Sequence, residues 1–128
     1  MDVSRIFELR LKGYCCSQII LKMGIQDAQK DENPDLIQAV AGLCNGLHSG
    51  SICGILSGAA CLISLVNPEN AKDLSIELVE WFRNEFETNN GITCKDILDG
   101  DQMNRSKKCP FILAATYDTV LELLDIDF

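Results

Sequence analysis

Histidine and tryptophan each occur once in this chain, proline three times, and no two cysteines form a C-x-x-C pair. Each shortage excludes something. Without C-x-x-C-H there is no motif for covalent c-type haem. The net charge is −8 and no basic cluster exceeds Lys107-Lys108. Nothing here could neutralise a row of phosphates, so nucleic acid is not expected as a partner, and an acidic membrane surface is an equally poor one. Walker loop, nucleophile elbow, HExxH and dinucleotide fingerprint are all missing. Long apolar runs are missing too. The longest stretch without Asp, Glu, Lys or Arg is 36–68, and its most apolar part, 52–66, is shorter than the roughly 20 residues needed to span a bilayer. A buried helix is expected there, with no membrane insertion. The first twelve residues carry Asp2, Arg5, Glu8, Arg10 and Lys12, unlike a signal peptide. The expectation is a cytoplasmic protein, in which cysteines serve metals or redox chemistry more often than structural disulfides.

What is present is cysteine, seven in 128 residues, an odd number that forbids complete pairing. Apolar residues make up 47%, enough for a core, and the length predicts one domain over 1–128.

The apolar periodicity is helical throughout, which predicts an all-α fold: a compact bundle of about six or seven helices. Ser4 caps a first helix that Gly13 ends. A second runs from Cys15 or Cys16 to Met23, with Gly24 as its stop. Asn33-Pro34-Asp35 is an N-cap followed by proline at the first helical position and an acid near the positive dipole end. Glycine then recurs at positions 42, 46, 50, 54 and 58. Five interior glycines would cost one long helix on the order of 5 kcal/mol relative to alanine. A glycine-rich loop over 45–50 followed by a helix over 51–66 is the better reading. Gly54 and Gly58 would let a helix or cofactor approach that backbone closely. Packing of Gly50, Gly54 and Gly58 between subunits would also leave a homodimer open. Asn67-Pro68-Glu69 repeats the start signal and opens a helix bearing Leu74, Leu78, Trp81, Phe82 and Phe86 until Asn89-Asn90-Gly91. Thr93 to Asp96 is capping-box-like and opens a short helix closed by Gly100. Residues 101–108 are expected as polar loop. Cys109-Pro110 opens the last helix, with Ile112, Ala115, Thr119, Val120 and Leu123 inward.

On this map Cys16, Cys53, Cys94 and Cys109 fall where helices begin. Free N–H groups at a helix start favour thiolate, by typically about 0.3–1 kcal/mol at exposed sites. Thiolate is the form that binds an iron–sulfur cluster or zinc. Spacing alone is weak support, because 36, 40 and 14 residues separate successive members. Cys61 and Cys44 are read as packing thiols. Cys15 and Cys16 occupy nearly the same place, so either could be the ligand. His48, in the glycine-rich loop, is read first as solvated and only second as a metal ligand or proton donor.

The segments Gly13-Tyr14-Cys15-Cys16-Ser17-Gln18, Cys53-Gly54-Ile55-Leu56-Ser57-Gly58, Gly91-Ile92-Thr93-Cys94-Lys95-Asp96-Ile97-Leu98 and Cys109-Pro110 together resemble the C-GCAxxG-C-C family, described as redox-active. The likeness runs in order over nearly the whole chain. Ile55 stands in place of the motif alanine, and Cys44 and Cys61 are additional. The resemblance implies a small helical domain with a redox centre at Cys16, Cys53, Cys94 and Cys109. The first expectation is an iron–sulfur cluster on those four cysteines, used for electron transfer with a redox partner protein. The alternatives are a metal-free thiol–disulfide protein, a four-cysteine zinc site, or an interaction module. No residue can be named as a catalyst, so a carrier or accessory protein is expected before an enzyme.

Overall fold

The computed structural model describes residues 3–87 and 91–126. Among them the chain forms seven α-helices and no strand: α1 (Ser4–Leu11), α2 (Cys16–Asp27), α3 (Pro34–Val40), α4 (Gly54–Val66), α5 (Ala71–Phe86), α6 (Cys94–Ile97) and α7 (Arg105–Leu124). The all-α expectation holds. No helix among the described residues is long and apolar enough to cross a membrane.

Helix α4 is central and packs against α2, α5 and α7. Its Ile55, Ala59, Leu62 and Ile63 are buried with Ile19, Ile20 and Met23 of α2, Leu78 and Phe82 of α5, and Leu113, Tyr117 and Val120 of α7. Each large aliphatic side chain buried this way contributes about 1.5–3 kcal/mol. Two glycines set how closely α2 and α4 approach. A Cβ on Gly58 would lie 2.8 Å from the Ser17 Cα and 3.0 Å from the Ser17 carbonyl oxygen. A Cβ on Gly24 would collide with the Leu62 side chain. Gly24 is thus a notch for Leu62 and not the helix stop expected, and α2 continues to Asp27. Gly54 faces Leu43 and Cys44, so Gly54 and Gly58 both serve contacts within the chain.

Several boundaries depart from expectation. Asn33 caps α3 as read, accepting from the Leu36 N–H at 3.2 Å. At Asn67 the same signal makes a turn, in which Asn67 Oδ1 accepts from the Asn70 N–H at 3.3 Å, and α5 starts only at Ala71. The Asn89-Asn90 stop lies outside the described residues. Residues 101–108 are not loop. Asp101 accepts from the Met103 N–H at 2.9 Å, a 3₁₀ turn covers Gln102–Asn104, and α7 begins at Arg105. Its inward face is Ile112, Leu113, Thr116, Tyr117 and Val120, whereas Ala115, Thr119 and Leu123 are half-buried.

The expected glycine-rich loop is present and tightly wound. Asn45, Leu47 and His48 all take left-handed backbone, with φ of 57°, 62° and 58°. The chain then returns through Ser51 and Ile52. The Ser51 carbonyl accepts from the Cys94 N–H at 2.6 Å, and Ile52 pairs with Thr93 in a single antiparallel bridge. This pairing carries the start of α6 to the start of α4.

Candidate redox site

Each of the four cysteines singled out by the sequence is held by a different helix. Cys16 is the first residue of α2. The preceding turn is fixed by Gln18, whose Oε1 accepts from the Cys15 N–H at 3.1 Å while its Nε2 donates to the Ile37 carbonyl at 3.1 Å. Cys53 is the N-cap of α4, where the Leu56 and Ile55 N–H groups of the first turn favour its thiolate without a direct side-chain cap bond. Cys94 is the first residue of α6, and Thr93 caps that helix by accepting from the Asp96 N–H at 3.1 Å. Cys109 departs from expectation. It lies in the second turn of α7, and the following Pro110 sits inside the helix, where it supplies no N–H to the Ser106 carbonyl.

These positions, far apart in sequence, share one neighbourhood. Cys16 and Cys109 are each the other's strongest influence, Cys53 acts on Cys16, and Cys109 acts on Cys53. Cys94 interacts with Cys53 and Cys109. Cations line the same space. The Arg105 Nη2 stands 3.9 Å from the Cys94 sulfur, and Arg105, Arg10 and Lys108 all act on Cys109. Lys108 is anchored by the Ile97 carbonyl at 2.7 Å and Asp99 at 3.0 Å.

Helix starts do not decide which thiol ionises. Burial pushes Cys53 up to about 11 despite its two backbone donors, and burial also raises Cys94 against the pull of Arg105. Cys16 is raised well above the ordinary thiol range, first because it donates to Cys109 and then because it is buried. Cys109 alone is lowered, to about 7, by the Cys16 donor and the cations, with burial opposing. Burial thus dominates at Cys53 and Cys94, and at Cys16 it adds to the Cys109 interaction, so a helix start does not by itself make a thiolate. The lowered thiol is the one with a neighbouring donor and positive charge.

The remaining candidates separate from this group. Cys15 and Cys44, read from the sequence as a ligand alternative and a packing thiol, are joined as a disulfide with a Cα–Cα distance of 6.2 Å. Cys15 therefore has no free thiol to offer as a ligand in place of Cys16. Cys61 is half-buried on α4, with its thiol raised by burial. His48 is exposed, as expected of a solvated loop residue, and lines a polar hollow with Ser49, Lys95 and Gln102. Arg105 was not legible as a site residue. It precedes Cys109 by four positions, the spacing of neighbours on a helix face, but the segment between them reads as loop. Among the described residues no three His, Cys, Asp or Glu side chains stand in a metal-holding arrangement.

Comparison with curated proteins finds no match, and comparison with solved structures finds none either. A protein-family model does match, over residues 14–123, a span that contains all four thiols. The chain belongs to that family, whose description is "Putative redox-active protein (C_GCAxxG_C_C)".

Proposed function

We propose that Cys16 and Cys109 are a redox-active thiol pair cycling between dithiol and disulfide, with Cys53 and Cys94 as flanking thiols of the same site. The carrying observation is the mutual influence of Cys16 and a half-buried Cys109, whose thiol Arg105, Arg10 and Lys108 also pull toward thiolate. Exchange is fastest for an attacking thiol whose pKa lies near ambient pH, and Cys109 at about 7 meets that condition. The Cys109 thiolate attacks one sulfur of a partner's disulfide, the S–S bond breaks, and the far sulfur leaves as thiolate. Cys16 loses its proton and attacks the Cys109 sulfur. The Cys16–Cys109 bond closes and the partner's second sulfur is released. Two electrons pass to the partner, which takes up two protons and departs as a dithiol.

An iron–sulfur cluster on Cys16, Cys53, Cys94 and Cys109 is the second reading. It is supported by the donor set, four thiols presented by four helices, which is the set such a cluster uses. Their present arrangement does not fit a cluster or a zinc ion directly. The thiols would have to draw together first, so no step is derived through either group.

One preparation tests both readings. Anaerobically purified protein is assayed for visible absorbance, iron, zinc and acid-labile sulfide, then titrated with dithiol and mapped by alkylation. Colourless, iron-free protein with a reversible Cys16–Cys109 bond is the expected result. Matched iron and sulfide, lost on Cys94→Ser, would replace the first reading with the second.

A further inference from the structure

We infer that Cys15 and Cys44 are a second redox couple of this chain, opened by a dithiol reductant, which ties together the two backbone segments that carry Cys16 and Cys53. The bond sits at a junction. Cys15 immediately precedes Cys16 at the start of α2, and Cys44 lies against the start of α4. A Cβ on Gly54, the residue after Cys53, would be 3.3 Å from the Cys44 Cα and 3.0 Å from the Leu43 carbonyl oxygen. Opening this bond removes the covalent tie between the Cys44 segment and the start of α2.

The surroundings suit the reduced form as well as the oxidised one. Ser17, fully buried, has its hydroxyl 2.9 Å from the Cys44 sulfur and 3.7 Å from the Cys15 sulfur, and it donates to the Val40 carbonyl at 2.7 Å. Once reduced, Cys44 can donate its S–H to Ser17 Oγ while Ser17 keeps its bond to Val40. No buried polar group is orphaned by opening, so the usual penalty for such a loss does not arise. Access is asymmetric: Cys15 is half-exposed and Cys44 is 2% exposed. The incoming thiolate therefore attacks the Cys15 sulfur, and Cys44 leaves and is protonated. The reductant's second thiolate then attacks its own sulfur in the mixed disulfide and releases Cys15. Two electrons and two protons enter the chain, and the reductant leaves as a disulfide. A disulfide oxidant runs the same steps backwards.

The couple stands apart from the Cys16–Cys109 proposal, although its bearing on the spacing of the four thiols rests on it. The test equilibrates the full chain with mixtures of reduced and oxidised dithiothreitol, quenches with acid, alkylates and maps each cysteine, with far-ultraviolet circular dichroism in parallel. Expected is that Cys15 and Cys44 gain label together at unchanged helicity, and that Cys44→Ser shifts the dithiol ratio at which Cys16–Cys109 closes. Labelling only where helicity is lost would make the bond purely structural and overturn the inference, as would an unshifted Cys16–Cys109 transition. The Cys109→Ser variant separates the two ideas. There the Cys15–Cys44 couple should still open at unchanged helicity, and its loss would overturn the inference. A Cys16–Cys109 pair that never closes, beside a Cys15–Cys44 couple that opens, would overturn the proposed function alone.

Discussion

Arg105 reaches the Cys94 sulfur at 3.9 Å while its own helix carries Cys109 one turn further on, so a single guanidinium acts on two thiols from two helices. Gln102 holds it in place, accepting from Nη2 at 2.7 Å. In Arg105→Met the alkylation midpoint of Cys109 should rise from about 7 toward the ordinary thiol value of 9.0. Arg105→Lys should recover part of the shift, because the charge returns without the planar fork. Iodoacetamide rates across pH, resolved by peptide mass, measure both. An unchanged midpoint in the methionine variant would remove Arg105 from the site.

Cys16 is the largest influence on Cys109. Cys16→Ala should raise the Cys109 midpoint further than Arg105→Met does, and Cys16→Ser, which retains a donor, should raise it less than Cys16→Ala. The linkage to folding has a definite sign. Cys109 is lowered in the folded chain, so its contribution is present above pH 9.0 and is lost as pH falls through about 7. Urea midpoints of wild type and Cys109→Ala, compared across that window, should converge toward its acid end.

Tyr117 ties three helices together. Its hydroxyl donates to Asp27 at the end of α2, and Arg5 of α1 bonds the same carboxylate oxygen at 3.0 Å. Tyr117→Phe should cost about 1.5–3 kcal/mol, the range for a hydrogen bond to a charged group, read from denaturant unfolding. Burial and Asp27 raise the Tyr117 hydroxyl above its usual value of 10.0. Its stabilising share is present below that pH and is lost as pH rises further. Tyr117→Phe should therefore also show a shallower alkaline loss of stability than wild type.

Two glycines should respond oppositely to the same substitution. Gly58→Ala places a Cβ 2.8 Å from the Ser17 Cα, backbone that cannot yield cheaply, and should cost about 1–3 kcal/mol. Gly42 has nothing within 4 Å of its added Cβ and is not among the positive-φ glycines. Gly42→Ala should be neutral or stabilising by about 0.4–1 kcal/mol through the unfolded chain. Thermal midpoints of the two variants decide the contrast.

Local signals were legible where the physics is local. The Asn33 cap, the glycine-rich loop over 45–50, and the start of α6 at Cys94 each depend on a few adjacent residues. Gly24 was misread because a glycine near the end of an apolar stretch looks like a stop, and only the Leu62 side chain filling its notch says otherwise. The start of α7 was misread because Pro110 resembles a first-turn proline. The chain instead enters that helix through the turn capped by Asp101, with Asn104 bonded to the Leu98 carbonyl at 2.8 Å. The Cys15–Cys44 pair spans 29 positions, beyond any local signal.

By itself the sequence determined an all-helical chain, because apolar periodicity and caps are properties of short windows. It also determined the four cysteines that the family motif picks out, three of them at helix starts. Only the tertiary structure decided what those thiols meet. Their gathering depends on the Ser51–Cys94 bond and the α2–α4 contact at Gly58, and their ionisation depends on burial and on Arg105. Desolvation and Coulomb interactions act through space, and so the thiols at the three helix starts are raised while Cys109, inside a helix, is lowered.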